Sequence, residues 1–195
     1  MWSASRASGA SAAAMPLGGI SGPRDGQIEA AAIGREVTLL FDALRTPVLR
    51  YLMSMGLPVA DGEDVVQDTF LALFNHLRRG RPRTNLQGWT FRTAHNLGLK
   101  RRRAIHRSWK SSRDRAAAVL AADTRPNPEE QLNGRQEYER ACAVLRALPE
   151  RDRLCLALRA EGLRYRDIAK TLGISLGSVS KSISRAAARL QEARR

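Results

Sequence analysis

Residues 148–190 read LPERDRLCLALRAEGLRYRDIAKTLGISLGSVSKSISRAAARL. The pattern predicts a helix, a second short helix, a tight turn and a third helix. Gly162 and Gly173 stand where two of these helices should stop, because glycine enters the left-handed conformation at a helix C-terminus at little cost. Ser175 is placed to cap the last helix by accepting a hydrogen bond from an orphan backbone N–H. Val179, Ile183, Ala186 and Leu190 then recur at helical spacing and form one apolar stripe. The opposite face carries Ser180, Lys181, Ser184 and Arg185. Between Ser175 and Arg195 the only acid is Glu192, against five Lys or Arg. This is the layout of a helix-turn-helix whose second helix enters a DNA major groove. Spacing alone leaves a plain three-helix bundle with a solvated basic face as the other reading.

The chain has 195 residues and a formal net charge of +14, which suits one domain or two small ones with a polyanionic partner. Only four of its 33 cationic residues are lysine, a bias that a GC-rich genome also produces, so the placement of charge says more than its total. From His76 to Arg115 there are thirteen basic residues and one acid, Asp114. From Leu57 to Phe70 the chain holds Asp61, Glu63, Asp64 and Asp68 and no base. Codon bias does not segregate charge in this way. Trp89, Phe91 and Trp109 interleave with the basic stretch and offer flat surfaces for unstacked bases. Phe91 reads as a core residue; Trp89 fits either role.

The helical periodicity divides the chain into an Ala, Ser and Gly-rich tail (1–34), a helical block (35–103), a polar basic connection (104–126) and a second helical block (127–191). The tail is expected to be disordered, or else a start extended upstream of Met15. Nothing alternates with period two, so the expected fold is all-α, two small helical domains on a flexible linker. In the first block one helix carries Val37 to Met55, with Pro47 expected to bend or divide it. Asp61 should cap the next helix, and Asn85 the third. Asn127 with Pro128 should open the second block. Cys142 and Cys155 fall on apolar faces and read as buried thiols in a reducing cytoplasm. Neither they nor His76, His95 and His106 have metal-ligand spacing, so no metal or cofactor is expected. No apolar run is long enough to span a bilayer.

Stretches in both helical blocks resemble one family. Asp61-Gly-Glu-Asp-Val-Val-Gln-Asp-Thr-Phe70 resembles the core-polymerase-binding helix of bacterial sigma factors. Trp89-Thr-Phe-Arg-Thr-Ala-His-Asn96, followed by Arg101, Arg102 and Arg103, resembles their helix that melts the promoter and reads the −10 element. Residues 148–151, Gly162 to Ala169, Gly177 to Val179 and the pair Arg185, Ala186 resemble their domain that reads the −35 element. With only these two domains, the chain is similar to the extracytoplasmic-function (ECF) group of the sigma-70 family.

That resemblance implies roles. Asp61, Glu63, Asp64, Gln67 and Asp68 would dock on the beta-prime clamp helices of core RNA polymerase, with Phe70 facing inward. The second block would meet the beta flap. Trp89, Arg92, Asn96, Lys100, Arg101, Arg102 and Arg103 would hold the exposed strand of the downstream element, Asn96 reading a flipped base. Arg164, Arg166, Ser178, Ser180, Lys181, Ser184 and Arg185 would face the upstream element, with Arg185 the candidate for a bidentate contact to guanine. Lys100, Ser180 and Ala187 depart from the residues most relatives carry there, and Arg164 and Arg166 are extra cations. The resemblance also implies promoter DNA and a cognate anti-sigma factor as partners, and a cytoplasmic location. The alternative is a stand-alone helix-turn-helix regulator, which leaves the acidic helix without a purpose. A nucleic-acid enzyme would need paired carboxylates, an activated nucleophile or a phosphate-binding glycine loop, none of which is legible.

Overall fold

The computed structural model describes residues 23–113 and 142–192. Among them are six helices: α1 (Pro23–Ser54), α2 (Val59–Arg78), α3 (Leu86–Arg113), α4 (Glu150–Ala160), α5 (Tyr165–Leu172) and α6 (Leu176–Glu192). A helical turn at 142–147 precedes α4. Helices α1, α2 and α3 pack mutually into one bundle, and α4, α5 and α6 into a second. The all-α, two-unit architecture is therefore the one observed.

Each bundle is held by the periodic apolar stripe of its helices. Val48, Tyr51, Leu52 and Met55 are buried at one face of α1 and just beyond it, against Val66, Phe70, Leu73 and Leu77 of α2 and Phe91 and Ala94 of α3. Edge-to-face rings lock this core, Phe41 on Phe70 at 5.0 Å and Tyr51 on Phe91 at 5.8 Å between centroids. In the second bundle Leu154, Cys155 and Leu158 of α4 meet Leu163, Ile168 and Val179. Gly162 and Gly173 do take positive φ, +85° and +66°, where α4 and α5 stop. The Ser175 hydroxyl accepts from Ser178 N at 3.2 Å and caps α6.

Several boundaries differ from expectation. Helix α1 starts at Pro23, within the stretch assigned to the tail, because Ile33 is 3% exposed and docks on the core. Pro47 neither ends nor divides it; the buried residues that follow hold the helix together across the missing N–H. Helix α2 begins after Pro58 with no side-chain cap, and Asp61 lies in its first turn, where Arg101 engages it. Helix α3 continues through Arg113, into the connection, since no Gly or Pro interrupts residues 99–113. The expected start at Asn127, the remainder of the connection, residues 1–22 and the Trp109 side chain lie outside what is described.

The two bundles also touch, α1 on α4 and α3 on α5. Each supplies side chains to a helix end of the other. Arg153 donates through Nε to the Ser54 carbonyl at 3.1 Å, at the C-terminus of α1. Gln87 donates through Nε2 to the Glu161 carbonyl at 3.0 Å, at the C-terminus of α4. These orphan carbonyls are the groups a helix leaves unsatisfied at that end.

Candidate nucleic-acid interface

The burial pattern of α2 divides it into two faces. Val65, Val66, Thr69 and Phe70 point inward, as Phe70 was expected to, while Glu63, Asp64, Gln67 and Asp68 are exposed. Asp61 is half-buried. The exposed residues form a polar acidic strip one turn wide, with Glu63 also 3.7 Å from Arg45.

Helix α3 divides in the same way. Thr90, Phe91, Ala94 and His95 are buried. Arg92, Asn96, Lys100 and Arg103 are exposed, and their spacing of four, four and three residues puts them on one face. A helix face with three cations around one carboxamide can grip phosphates and read a base edge together. Trp89 is half-buried, packed on the core and against the His76 ring at 4.6 Å, so only part of its surface remains to meet a base.

The run Arg101 to Arg103, uniform in sequence, has three different environments. Arg101 turns to α2, where Nε binds Asp61 at 2.5 Å and Nη2 binds Asp64 at 3.2 Å. Arg102 donates to the Met55 carbonyl at 3.0 Å and pairs with Glu150 of the other bundle. Arg103 projects outward. Helical rotation of about 100° per residue imposes this division. Next to Arg102, His95 Nδ1 lies 2.8 Å from the Tyr51 hydroxyl. Burial, then the Arg102 charge, holds the imidazole below its ordinary pKa, and burial pushes the Tyr51 phenol up. The phenol and the imidazole share this buried hydrogen bond, and the ring tautomer sets which of them donates.

On α6 Ser180, Lys181 and Ser184 are exposed, and Ser178 is half-buried beside its partner Ser175. Arg164 and Arg166 are exposed at the start of α5. Arg185 is committed elsewhere. Its Nε and Nη2 donate to the two carboxylate oxygens of Asp152 at 3.0 and 2.8 Å. Asp152 is 2% exposed, and the Arg185 hydrogen bonds hold its carboxyl below the usual range. The fork that would read guanine is used to fix α6 on α4. Sequence reasoning missed Asp152, although a carboxylate at a position three before Cys155, on the apolar face of α4, calls for a cation. It also missed Glu150 and Glu161, the acidic partners across the two bundles.

No group of His, Cys, Asp and Glu among the described residues could hold a metal ion, and no described helix is long and apolar enough to cross a membrane.

Comparison with known proteins agrees with this geometry. Residues 40–108 match the Sigma-70 region 2 family and residues 141–190 the Sigma-70, region 4 family. The chain is 32% identical over 147 residues to RNA polymerase sigma factor CnrH of Cupriavidus metallidurans, covering 70% of this chain and 75% of that protein. It is 34% identical over 137 residues to the ECF RNA polymerase sigma factor SigE of Mycolicibacterium smegmatis, covering 68% of this chain and 51% of that one. Among solved structures it is similar to the sigma factor RpoE of Bartonella quintana, bound to the anti-sigma factor NepR, with TM-score 0.62, 25% identity and coverage of 82% and 94%. It is also similar to CnrH in complex with the cytosolic domain of CnrY, with TM-score 0.52, 27% identity and coverage of 86% and 95%. With both regions present in order and the acidic and basic helices in place, the chain belongs to the sigma-70 family, in its extracytoplasmic-function group, and as such binds core RNA polymerase and directs it to promoters.

Proposed function

We propose that this sigma factor divides its work among three exposed faces. Glu63, Asp64, Gln67 and Asp68 of α2 dock on the beta-prime clamp helices, with Asp61 set back beside them. Arg92, Asn96, Lys100 and Arg103 of α3 hold the non-template strand of the downstream element once it opens, with Trp89 bordering them. Ser180, Lys181 and Ser184 of α6 meet base edges of the upstream element, while Arg164 and Arg166 of α5 meet its phosphates. In this reading Arg185 positions α6, and Arg101 and Arg102 brace α3. The protein contributes binding energy and orientation, and the polymerase performs the chemistry.

The carrying observation is the single exposed face of α3, where Asn96 sits among Arg92, Lys100 and Arg103 opposite a fully buried face. A stand-alone regulator has no use for such a face. Two weak DNA readers on one polymerase gain affinity through effective concentration when promoter spacing lets both engage. By analogy with the NepR and CnrY complexes of its structural relatives, a cognate anti-sigma factor restrains it, and its place of work is the cytoplasm, with the polymerase.

Run-off transcription with purified core polymerase on random promoter fragments tests the assignment. Added protein should create new start sites sharing two spaced elements. Glu63→Arg with Asp68→Arg should abolish them by loss of polymerase binding. Start sites unchanged by added protein would overturn the reading.

A further inference from the structure

We propose that the groove between the start of α3 and the helix-turn-helix is a binding site for a small ligand carrying linked phosphate groups, either a short polyphosphate chain or a nucleoside polyphosphate. The groove measures about 1040 Å³, at the upper end of the roughly 300–1,000 Å³ usual for small-molecule sites.

Charge selects the ligand. Arg164, Arg166 and Lys170 line one wall and are exposed. Arg166 and Lys170 stand one helical turn apart on the same face of α5. Among the described residues no carboxylate pairs with any of the three, whereas Arg101, Arg102 and Arg185 each hold one. The one carboxylate lining the groove, Asp167, is taken by Asn85, whose Nδ2 donates to it at 2.7 Å. Three unneutralised cations in a cleft concentrate the field on an anion. Linked phosphates spread their charge over several oxygens, so one ligand can meet more than one of these cations.

The neutral lining fits the same ligand. Both α5 and α6 begin at this groove, and a Cβ at Gly177 would meet nothing within 4 Å, so the first turn of α6 is open to a phosphate oxygen. The Ser180 hydroxyl lies one turn further along α6 in the same lining. Tyr165 and Leu176 are exposed large apolar residues within the groove, and the Arg159 guanidinium lies 5.6 Å from the centroid of the Tyr165 ring. They offer a nucleobase an apolar surface that a bare polyphosphate does not use. Gln87 is anchored through Nε2 on the Glu161 carbonyl at 3.0 Å, which leaves its carboxamide oxygen as an acceptor for a base amine. Arg164 and Arg166 are also the cations assigned above to upstream phosphates, so ligand and duplex draw on the same charges. That overlap rests on the reading of α5 and α6 as the duplex-binding pair; the phosphate site itself does not.

Calorimetric titration of the full chain with sodium tripolyphosphate, ATP and AMP at physiological ionic strength tests the site. Tripolyphosphate and ATP should bind one per chain, and AMP roughly 10-fold more weakly than ATP. ATP binding tighter than tripolyphosphate identifies the ligand as a nucleotide; equal affinity identifies the bare chain. Arg166→Gln and Lys170→Gln should each weaken binding roughly 10-fold. Gln87→Lys, which sets a further cation on the opposite wall, should tighten it several-fold, and Leu71→Lys, with the same charge outside the groove, should not. This gain keeps the test decisive if a loss variant folds poorly. No binding of tripolyphosphate or ATP, or binding that no groove variant changes, would overturn the site, as would equal tightening by Gln87→Lys and Leu71→Lys. Holoenzyme whose start sites ignore the upstream element would instead overturn the duplex-reading assignment.

Discussion

Arg185 and Asp152 form a two-point ion pair, 3.0 and 2.8 Å long, between the exposed side of α6 and the buried side of α4. A carboxylate buried to 2% exposure is tolerable only with such a partner. Arg185→Ala should therefore lower the unfolding midpoint in a thermal melt, and Arg185→Lys should recover only part of it, because lysine lacks the planar fork. In a double-mutant cycle with Asp152→Asn the two losses should be far from additive. Promoter selection by a pool of randomised upstream elements should respond to Lys181→Ala or Ser184→Ala at single positions. For Arg185→Ala it should weaken without a position-specific change. A shift at one position with stability unchanged would return Arg185 to base reading.

Asn96 is exposed on α3 and distant in chain from the acidic strip on α2 that we propose docks on polymerase. Asn96→Ala should reduce open-complex formation roughly 10-fold, the scale of one lost base-edge contact. Permanganate reactivity of the downstream element reports it. Binding to core polymerase, measured by co-elution, should stay at the wild-type level.

Gly88 leaves room for the cap of α3. A Cβ there would lie 2.6 Å from Asn85 Nδ2 and 2.9 Å from Oδ1, and Asn85 Oδ1 is the acceptor for Gly88 N at 3.1 Å. Asn85 itself sits at φ +55°, a conformation asparagine tolerates better than most residues. Gly88→Ala should expel the carboxamide and cost about 1 kcal/mol, the scale of a lost N-cap. Chemical denaturation checks this, with Asn85→Ala as the comparison. The two substitutions together should cost little more than either alone.

His95 is buried, its Nδ1 2.8 Å from the Tyr51 hydroxyl, and its protonation is disfavoured by burial and by Arg102. The folded pKa thus lies below the unfolded value of 6.5. Its contribution to stability is complete above that value and is lost as pH falls toward the folded one. Unfolding free energy should decline on acidification below about 6.5, with a slope of at most about 1.4 kcal/mol per pH unit from this group. His95→Gln should flatten that decline relative to wild type.

The parts of this protein that depend on neighbours in the chain were legible from the start. Gly173, Ser175 and the Val179 to Leu190 stripe specify where α5 ends, where α6 begins and which side it buries, because glycine conformation, N-capping and helical period act over a few residues. The acidic α2 strip and the Arg92, Asn96 face of α3 follow from the same period. Boundaries failed where packing outweighed local signals: Ile33 draws α1 back to Pro23, and buried residues carry it across Pro47.

Sequence by itself determined the helical class, the two-block order and the segregation of acid from base, since composition and periodicity are properties of the chain. Only the tertiary structure decided what each arginine does. Arg101, Arg102 and Arg103 are equivalent in sequence, yet one braces Asp61, one meets Glu150 and one faces solvent. Arg185 and Asp152 are 33 residues apart, and Arg50 and Glu161 are 111 apart. An ion pair depends on distances of a few ångströms between side chains, and those distances exist only once the helices have packed.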